Sequence, residues 1–159
     1  GLVEKIGVSV YSKQEIDQVL DNFKIDLIQL PVSILDQTLI HDGSLTKLKK
    51  YGVEIHARSV FLQGLMFMEK DMIPSYFNPI IKNIDAFQNL AIELSFSRLE
   101  LALSYVASIC EIDKIVVGVN TINQLKEVIK AAKLRTDFQK HKRISIRNPI
   151  YTNPSLWKI

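Results

Sequence analysis

The sequence predicts an α/β fold: half of a (β/α)8 TIM barrel, built from four βα units with parallel strands. Three observations carry that prediction. Short apolar segments alternate with stretches of helical periodicity, in the order βαβαβαβα. Helices stand between consecutive strands, so the strands must pair in parallel through right-handed crossovers. The Gly-x-Gly-x-x-Gly turn expected after the first strand of a doubly wound dinucleotide fold is missing, and that place reads "YSKQE". A whole barrel takes about 250 residues. The 159 residues here amount to one partial barrel domain, residues 1–159.

Each element has its own signal. "EKIGVSV" is the first strand, and "YSKQEIDQVLDNF" is a helix opened by a capping box of Ser12 and Glu15. "DLIQLP" is the second strand. A polar turn, "DQTLIHDGS", leads to a short helix, "LTKLKKYG", which Gly52 stops. "VEIHARS" is the third strand. A long connection through Pro74 and Pro79 enters two helices, one from Pro79 to Glu93 and one from Ser97 to about Cys110, the second with a capping box to Glu100. "KIVVGV" is the fourth strand, and "INQLKEVIKAAKL" is the last helix, with Thr121 and Gln124 forming a third capping box. Four parallel strands alone leave two open edges and one uncovered face. The expected partner is therefore a missing N-terminal half-barrel or a second copy of the chain.

Composition narrows the function. Hydrophobic residues make up 47% and charged residues 23%, which supports a packed core and excludes a disordered chain. No apolar run is long enough to span a bilayer, so no membrane partner is expected. Cys110 is the only cysteine, which excludes an intrachain disulfide and a zinc cluster and fits a cytoplasmic setting. Net charge is +3, and basic residues gather late, at Lys130, Lys133, Arg135, Lys140, Lys142, Arg143 and Arg147. Apart from Phe138, no aromatic residue is interleaved with them, so they read as a solvated helix end and tail with no nucleic-acid partner. His41, His56 and His141 are too scattered for a ligand set, and no metal motif, nucleophile elbow or phosphate-binding P-loop is present.

The segments "KIGVSVYSKQEI", "DLIQLPVSILDQ", "GVEIHARSVFLQGLM" and "VVGVNTINQLKEV", in this order, resemble the second half of an aldo/keto reductase, from its fifth to its eighth barrel strand, and "NPSLW" resembles the tail. The resemblance implies a barrel that binds NADP or NAD at its C-terminal rim and reduces a small-molecule carbonyl substrate by hydride transfer. At the nicotinamide end it implies Ser9 and Gln29 as partners of the carboxamide, although Val10 stands where the family usually has Asn. Arg58 takes the place of an aromatic that stacks on the nicotinamide. Ser59, Leu62 and Gly64 match the loop around the pyrophosphate, with Val60 and Phe61 replacing the usual Pro-Leu. Gly118, Asn120, Thr121, Gln124 and Glu127 match the residues around the adenosine phosphate and adenine. Asn120 stands where many members place a cation for the 2′-phosphate, and Val128 where they have Asn. Ser9 and Ser59 are also explained as strand-end hydroxyls, Gly118 as a turn glycine, and Thr121 with Gln124 as a helix cap.

The same resemblance implies that the catalytic Tyr, Lys, Asp and His lie on the first four strands. The five tyrosines here are Tyr11, Tyr51, Tyr76, Tyr105 and Tyr151, none in the matching context, so no catalytic residue is assigned and the chain alone is expected to be inactive. The alternatives are a non-catalytic cofactor-binding or subunit module, and a half-barrel that dimerises. If Arg58 faces the cofactor, period two puts Glu54 and His56 on the same inward face. His56 then reads as a satisfied interior group, and Lys5 with Glu54 as a pair deep in the barrel. The loop 66–78 and the tail 150–159 contain Tyr76, Phe77, Tyr151 and Trp157, which serve equally as substrate-pocket walls or as core plugs.

Overall fold

The computed structural model describes residues 1–136 and 144–158. Lys140, Lys142, Arg143, Phe138 and His141 lie outside the described residues. Four strands, β1 (Gly7–Ser9), β2 (Leu27–Pro31), β3 (Glu54–Arg58) and β4 (Lys114–Ile115), form one parallel sheet in the order β1-β2-β3-β4. The register pairs Ser9 with Gln29, Gln29 with His56, and His56 with Lys114. Sheet order equals chain order, as successive crossovers of one hand produce. Gly7 is required by contact. A Cβ there would stand 2.2 Å from the Leu27 carbonyl oxygen.

The helices follow the sequence signals closely. In α1 (Lys13–Asn22) and α5 (Arg98–Ala107), both reciprocal capping boxes form, Ser12 with Glu15 and Ser97 with Glu100. The helix α2 (Thr38–His41) is one turn inside the segment expected as a polar turn. It is held from within, because the Gln37 amide donates to the Ile34 carbonyl at 2.8 Å and its oxygen faces the His41 ring at 3.1 Å. The helix α3 (Ser44–Lys50) ends in the bond pattern of a Schellman motif. Val53 N–H reaches the Leu48 carbonyl, and Gly52 N–H, at φ 73°, reaches that of Lys49. α4 (Ile81–Glu93) is preceded by a 3-10 segment, Ser75–Ile80, so the α-helix starts two residues after Pro79.

Two expectations are corrected at the C-terminal side. "KIVVGV" contributes only Lys114–Ile115 to the ladder, although Val116 N–H still bonds the Ala57 carbonyl at 2.8 Å. Among the described residues β4 is an edge strand, paired only with β3 at His56 and Ala57. The third capping box also differs. Thr121 accepts from the Gln124 N–H, but Gln124 returns its oxygen to Asn120 N–H at 2.8 Å, one residue before the cap of α6 (Ile122–Ala131). A short helix, α7 (Pro149–Thr152), ends the fold.

The core lies on one side of the sheet. Ile28, Leu30, Ile55 and Ala57 are fully buried there, with Ile16, Leu48, Ile84, Phe87 and Leu101 from the helices in the same cluster. On the other face stand Leu27, Gln29, Glu54, His56 and Arg58, all only partly covered. Period-two alternation sorts the two sets. Among the described residues, no helix is long and apolar enough to cross a membrane. Arg135 supports the helix-end reading of the basic residues, since it donates to the carbonyls of Ala132 and Leu134 at 2.8 Å.

Candidate functional site

The chain reversal after β3 is built under conformational tension. Ser59, Leu62, Gln63 and Gly64 all have positive φ, at 57°, 47°, 54° and 83°. Three of the four are not glycine, and such backbone costs of order 1–3 kcal/mol per residue unless its surroundings enforce it. The surroundings here are the bonds from Leu62 N–H to Ser59 O and from Gly64 N–H to Phe61 O, both 2.9 Å, and the buried side chains of Val60, Leu62 and Leu65. The turn leaves the N–H groups of Ser59, Val60 and Phe61 without a partner among the described residues. Successive free N–H groups in a turn make a concave seat for anionic oxygen.

The strand end of β4 and the start of α6 close the other side. The N–H groups of Ile122 and Asn123, in the first turn of α6, also have no partner, as helix geometry requires. Together these elements bound a cleft of about 730 Å³ at the C-terminal ends of the strands. Eight of the eleven residues picked from the sequence line it: Gln29, Arg58, Ser59, Gly64, Gly118, Asn120, Gln124 and Glu127. The other three stand differently. Ser9 touches it through Arg58, whose Nε donates to the Ser9 hydroxyl at 3.3 Å. Thr121 caps α6. Leu62 turns its side chain into the core, so only its backbone shapes the loop. Sequence reading missed Gln63, Phe67 and Leu99, which also line the cleft. Their only signal was their place beside the loop and in the first turn of α5.

Arg58 is held by four contacts. Nη1 donates to the Ser59 hydroxyl at 3.2 Å, Nη2 to the Val10 carbonyl at 3.2 Å, and Nε to Ser9. The guanidinium lies over the Tyr11 ring, 4.0 Å from its centroid. Below it on the same face, Glu54 gathers cations. The His56 ring and Lys114 each meet one carboxylate oxygen at 2.8 Å, and Lys5 meets the other. The hydrogen bonds from Lys114, Lys5 and His56 hold the Glu54 carboxyl well below the usual carboxylate range. The Lys5–Glu54 pair thus forms, but with Lys5 and Lys114 reaching toward solvent at 55% and 63% exposure, not deep inside. His56 has its hydrogen-bond partner in Glu54.

No tyrosine lines the cleft. Tyr105 is buried, and burial pushes its phenol above the ordinary value. The Tyr76 hydroxyl donates to the Ile150 carbonyl at 3.0 Å. Tyr76 packs edge-on against Phe77 and Tyr151, and Phe77 against Trp157. These contacts fasten the tail to the segment before α4, and the four rings sit as plugs away from the cleft. Among the described residues, no group of His, Cys, Asp and Glu gathers to hold a metal ion.

The Aldo/keto reductase family model matches residues 1–148. The chain belongs to that family. The fold agrees: aldo-keto reductase AKR11C1 from Bacillus halodurans, in its holo form, superposes with a TM-score of 0.71 at 18% identity, covering 96% of this chain and 51% of its own. The glycerol dehydrogenase AKR11B4 from Gluconobacter oxydans superposes at 0.65 with 20% identity, over 86% of this chain and 46% of its own. The chain thus spans about half the length of the solved family members it matches. No curated protein matches it by sequence.

Proposed function

We propose that this chain is the C-terminal, cofactor-binding half of an NAD(P)-dependent aldo/keto reductase-like oxidoreductase, whose intact form reduces a carbonyl. The observation that carries the reading is the cleft: residues chosen from four separate segments line one cavity whose wall offers free N–H groups to an anion. Gln29, Ser9 and Arg58 would sit at the nicotinamide end, Ser59 to Gly64 around the diphosphate, and Gly118 to Glu127 around the adenosine. The donor set fits a dinucleotide, because the free N–H groups of the loop and of the α6 start favour phosphate oxygen. When bound, the cofactor supplies the hydride. The chain's own groups bind and orient it.

The proton for the carbonyl oxygen would come from a catalytic set on other strands of the family barrel, since no tyrosine lines the cleft. The open inward face, with Glu54, His56 and Arg58, is then the interior that the other half-barrel covers. Asn120 stands where many members place a cation for the 2′-phosphate, and the cofactor is NADP or NAD. The single, exposed and free Cys110 accords with a reducing, cytoplasmic setting. The test is a titration of the intact protein that carries this chain with NADH and NADPH, followed by nicotinamide fluorescence. Saturable binding of NADH or NADPH, weakened about tenfold or more by Gly64→Val, is expected. No saturable binding of either cofactor refutes the reading. Gln124→Ala, which removes a cleft-lining side chain at the adenosine end together with its exposed bond to Asn120 N–H, serves as the second variant in case Gly64→Val does not fold.

A further inference from the structure

Arg58 carries a charge that no ion pair of the described residues engages. Among the described residues, no carboxylate lies within ion-pairing distance of its guanidinium. Its three hydrogen bonds go to two hydroxyls and one carbonyl, all neutral. Glu15 feels the Arg58 charge, which helps to lower its carboxyl pKa, but its oxygen is taken by the Tyr11 and Ser12 N–H groups at 2.6 and 3.0 Å. A partly buried cation without an ion-pair partner is costly, and an anionic group placed against it would offset that cost. A guanidinium has five N–H donors, so after these bonds one N–H remains on each Nη. That pair of nitrogens suits a carboxylate.

The surroundings point the same way. The Tyr11 ring fixes the guanidinium plane from one side. Gln29 lines the cleft beside Arg58, and its amide makes no hydrogen bond among the described residues. The side chain runs from β3 over toward β1, to Ser9, Val10 and Tyr11, and so away from β4 and α6. That direction leads from the seat assigned to the phosphates across the inward face toward the opposite edge of the sheet, at β1. Tyr11 itself lines a second cavity of about 450 Å³, so the stacked pair stands between the two spaces.

We infer that Arg58, set on Tyr11 and flanked by Gln29, is a specificity-determining residue that selects carbonyl substrates bearing a carboxylate. This rests on the cleft being the cofactor site. Arg58 acts on the acid group, leaving the carbonyl to the catalytic residues. The same guanidinium chemistry would also suit a cofactor phosphate, and the experiment separates the two.

The intact protein is assayed with para-carboxybenzaldehyde and its neutral counterpart para-hydroxymethylbenzaldehyde. Their products, para-hydroxymethylbenzoate and the corresponding diol, are titrated calorimetrically with and without NADH. The acid is preferred in both measurements. That preference falls roughly tenfold or more in Arg58→Gln and less in Arg58→Lys, which keeps charge but loses the planar fork. A wild-type protein with no preference for the acid overturns the inference. So does a preference that survives Arg58→Gln, or a variant that weakens NADH binding while leaving the preference unchanged. If no cofactor binds at all, the reading of the cleft fails on its own, and the calorimetry without NADH still decides the role of Arg58.

Discussion

The two faces of the sheet are made from the same strands, residue by alternate residue, and they have opposite characters. On the helix side Ile28, Leu30, Ile55 and Ala57 have no exposure. On the inward side Gln29, Glu54, His56 and Arg58 stay partly open, and every one of them is polar or charged. The first face answers to packing, where lost volume is felt directly. The second answers to hydrogen bonds, charge and whatever fills the space above it. Stability should therefore reside in one face and binding in the other, and adjacent residues along β3 should behave as if they came from different proteins.

The sharpest form of that contrast is a pair of neighbours. Ile55→Ala should destabilise the intact protein by about 2–5 kcal/mol, the range for truncating a buried aliphatic residue. His56→Ala, one position on, should cost about 1 kcal/mol, the worth of an ordinary hydrogen bond. Urea unfolding measures both, and equal losses would break the distinction. Next comes Gly7→Ala. Its new Cβ meets a backbone atom, the Leu27 carbonyl oxygen, which cannot swing away, and the strain should cost about 1–3 kcal/mol in the same assay. Ser97→Ala removes the α5 cap and should cost about 1 kcal/mol, while leaving NADH affinity untouched.

The smallest effect belongs to the charge cluster on the inward face. Glu54 titrates below its ordinary value of 4.5 in the fold. Its pairing therefore stabilises above that pH and is lost as pH falls below it toward the depressed folded value. Two of its partners, Lys5 and Lys114, are more than half exposed, so solvent screens the gain. Thermal unfolding between about pH 3 and about pH 6 should show a flatter acid limb in Glu54→Gln. An unchanged limb would mean that the cluster does not contribute.

Much of this contrast was legible in the sequence because it rests on local rules. Ser12 with Glu15, Ser97 with Glu100 and the Gly52 stop form as their spacing dictates. The alternation "EIHAR" sorts itself correctly between the two faces. What was not legible depends on partners distant in sequence. The single-turn α2 exists because Gln37 ties it to Ile34 and His41, and polar residues alone looked like a turn. β4 joins the ladder only at Lys114 and Ile115, opposite His56 and Ala57, and its apolar run does not show where that pairing ends. The capping hydroxyl of Thr121 was predictable, but the Gln124 oxygen reaches one residue further, to Asn120. At the site, the four segments follow from the resemblance, whereas the Tyr11 stack on Arg58 joins the loop after β1 to the end of β3 and has no signature in either. The inward turn of Leu62 follows from a left-handed backbone that its residue type does not favour.

The central claim is that the rim of the inward face, between the β3 reversal and the start of α6, holds the phosphates of a nicotinamide cofactor. Amide hydrogen exchange of the intact protein with and without saturating NADH tests it most directly. The account predicts slowed exchange at Ser59, Val60 and Phe61 and at Ile122 and Asn123, whose N–H groups have no partner in the chain. NADH binding that leaves those five amides unchanged, with protection appearing elsewhere, would contradict it.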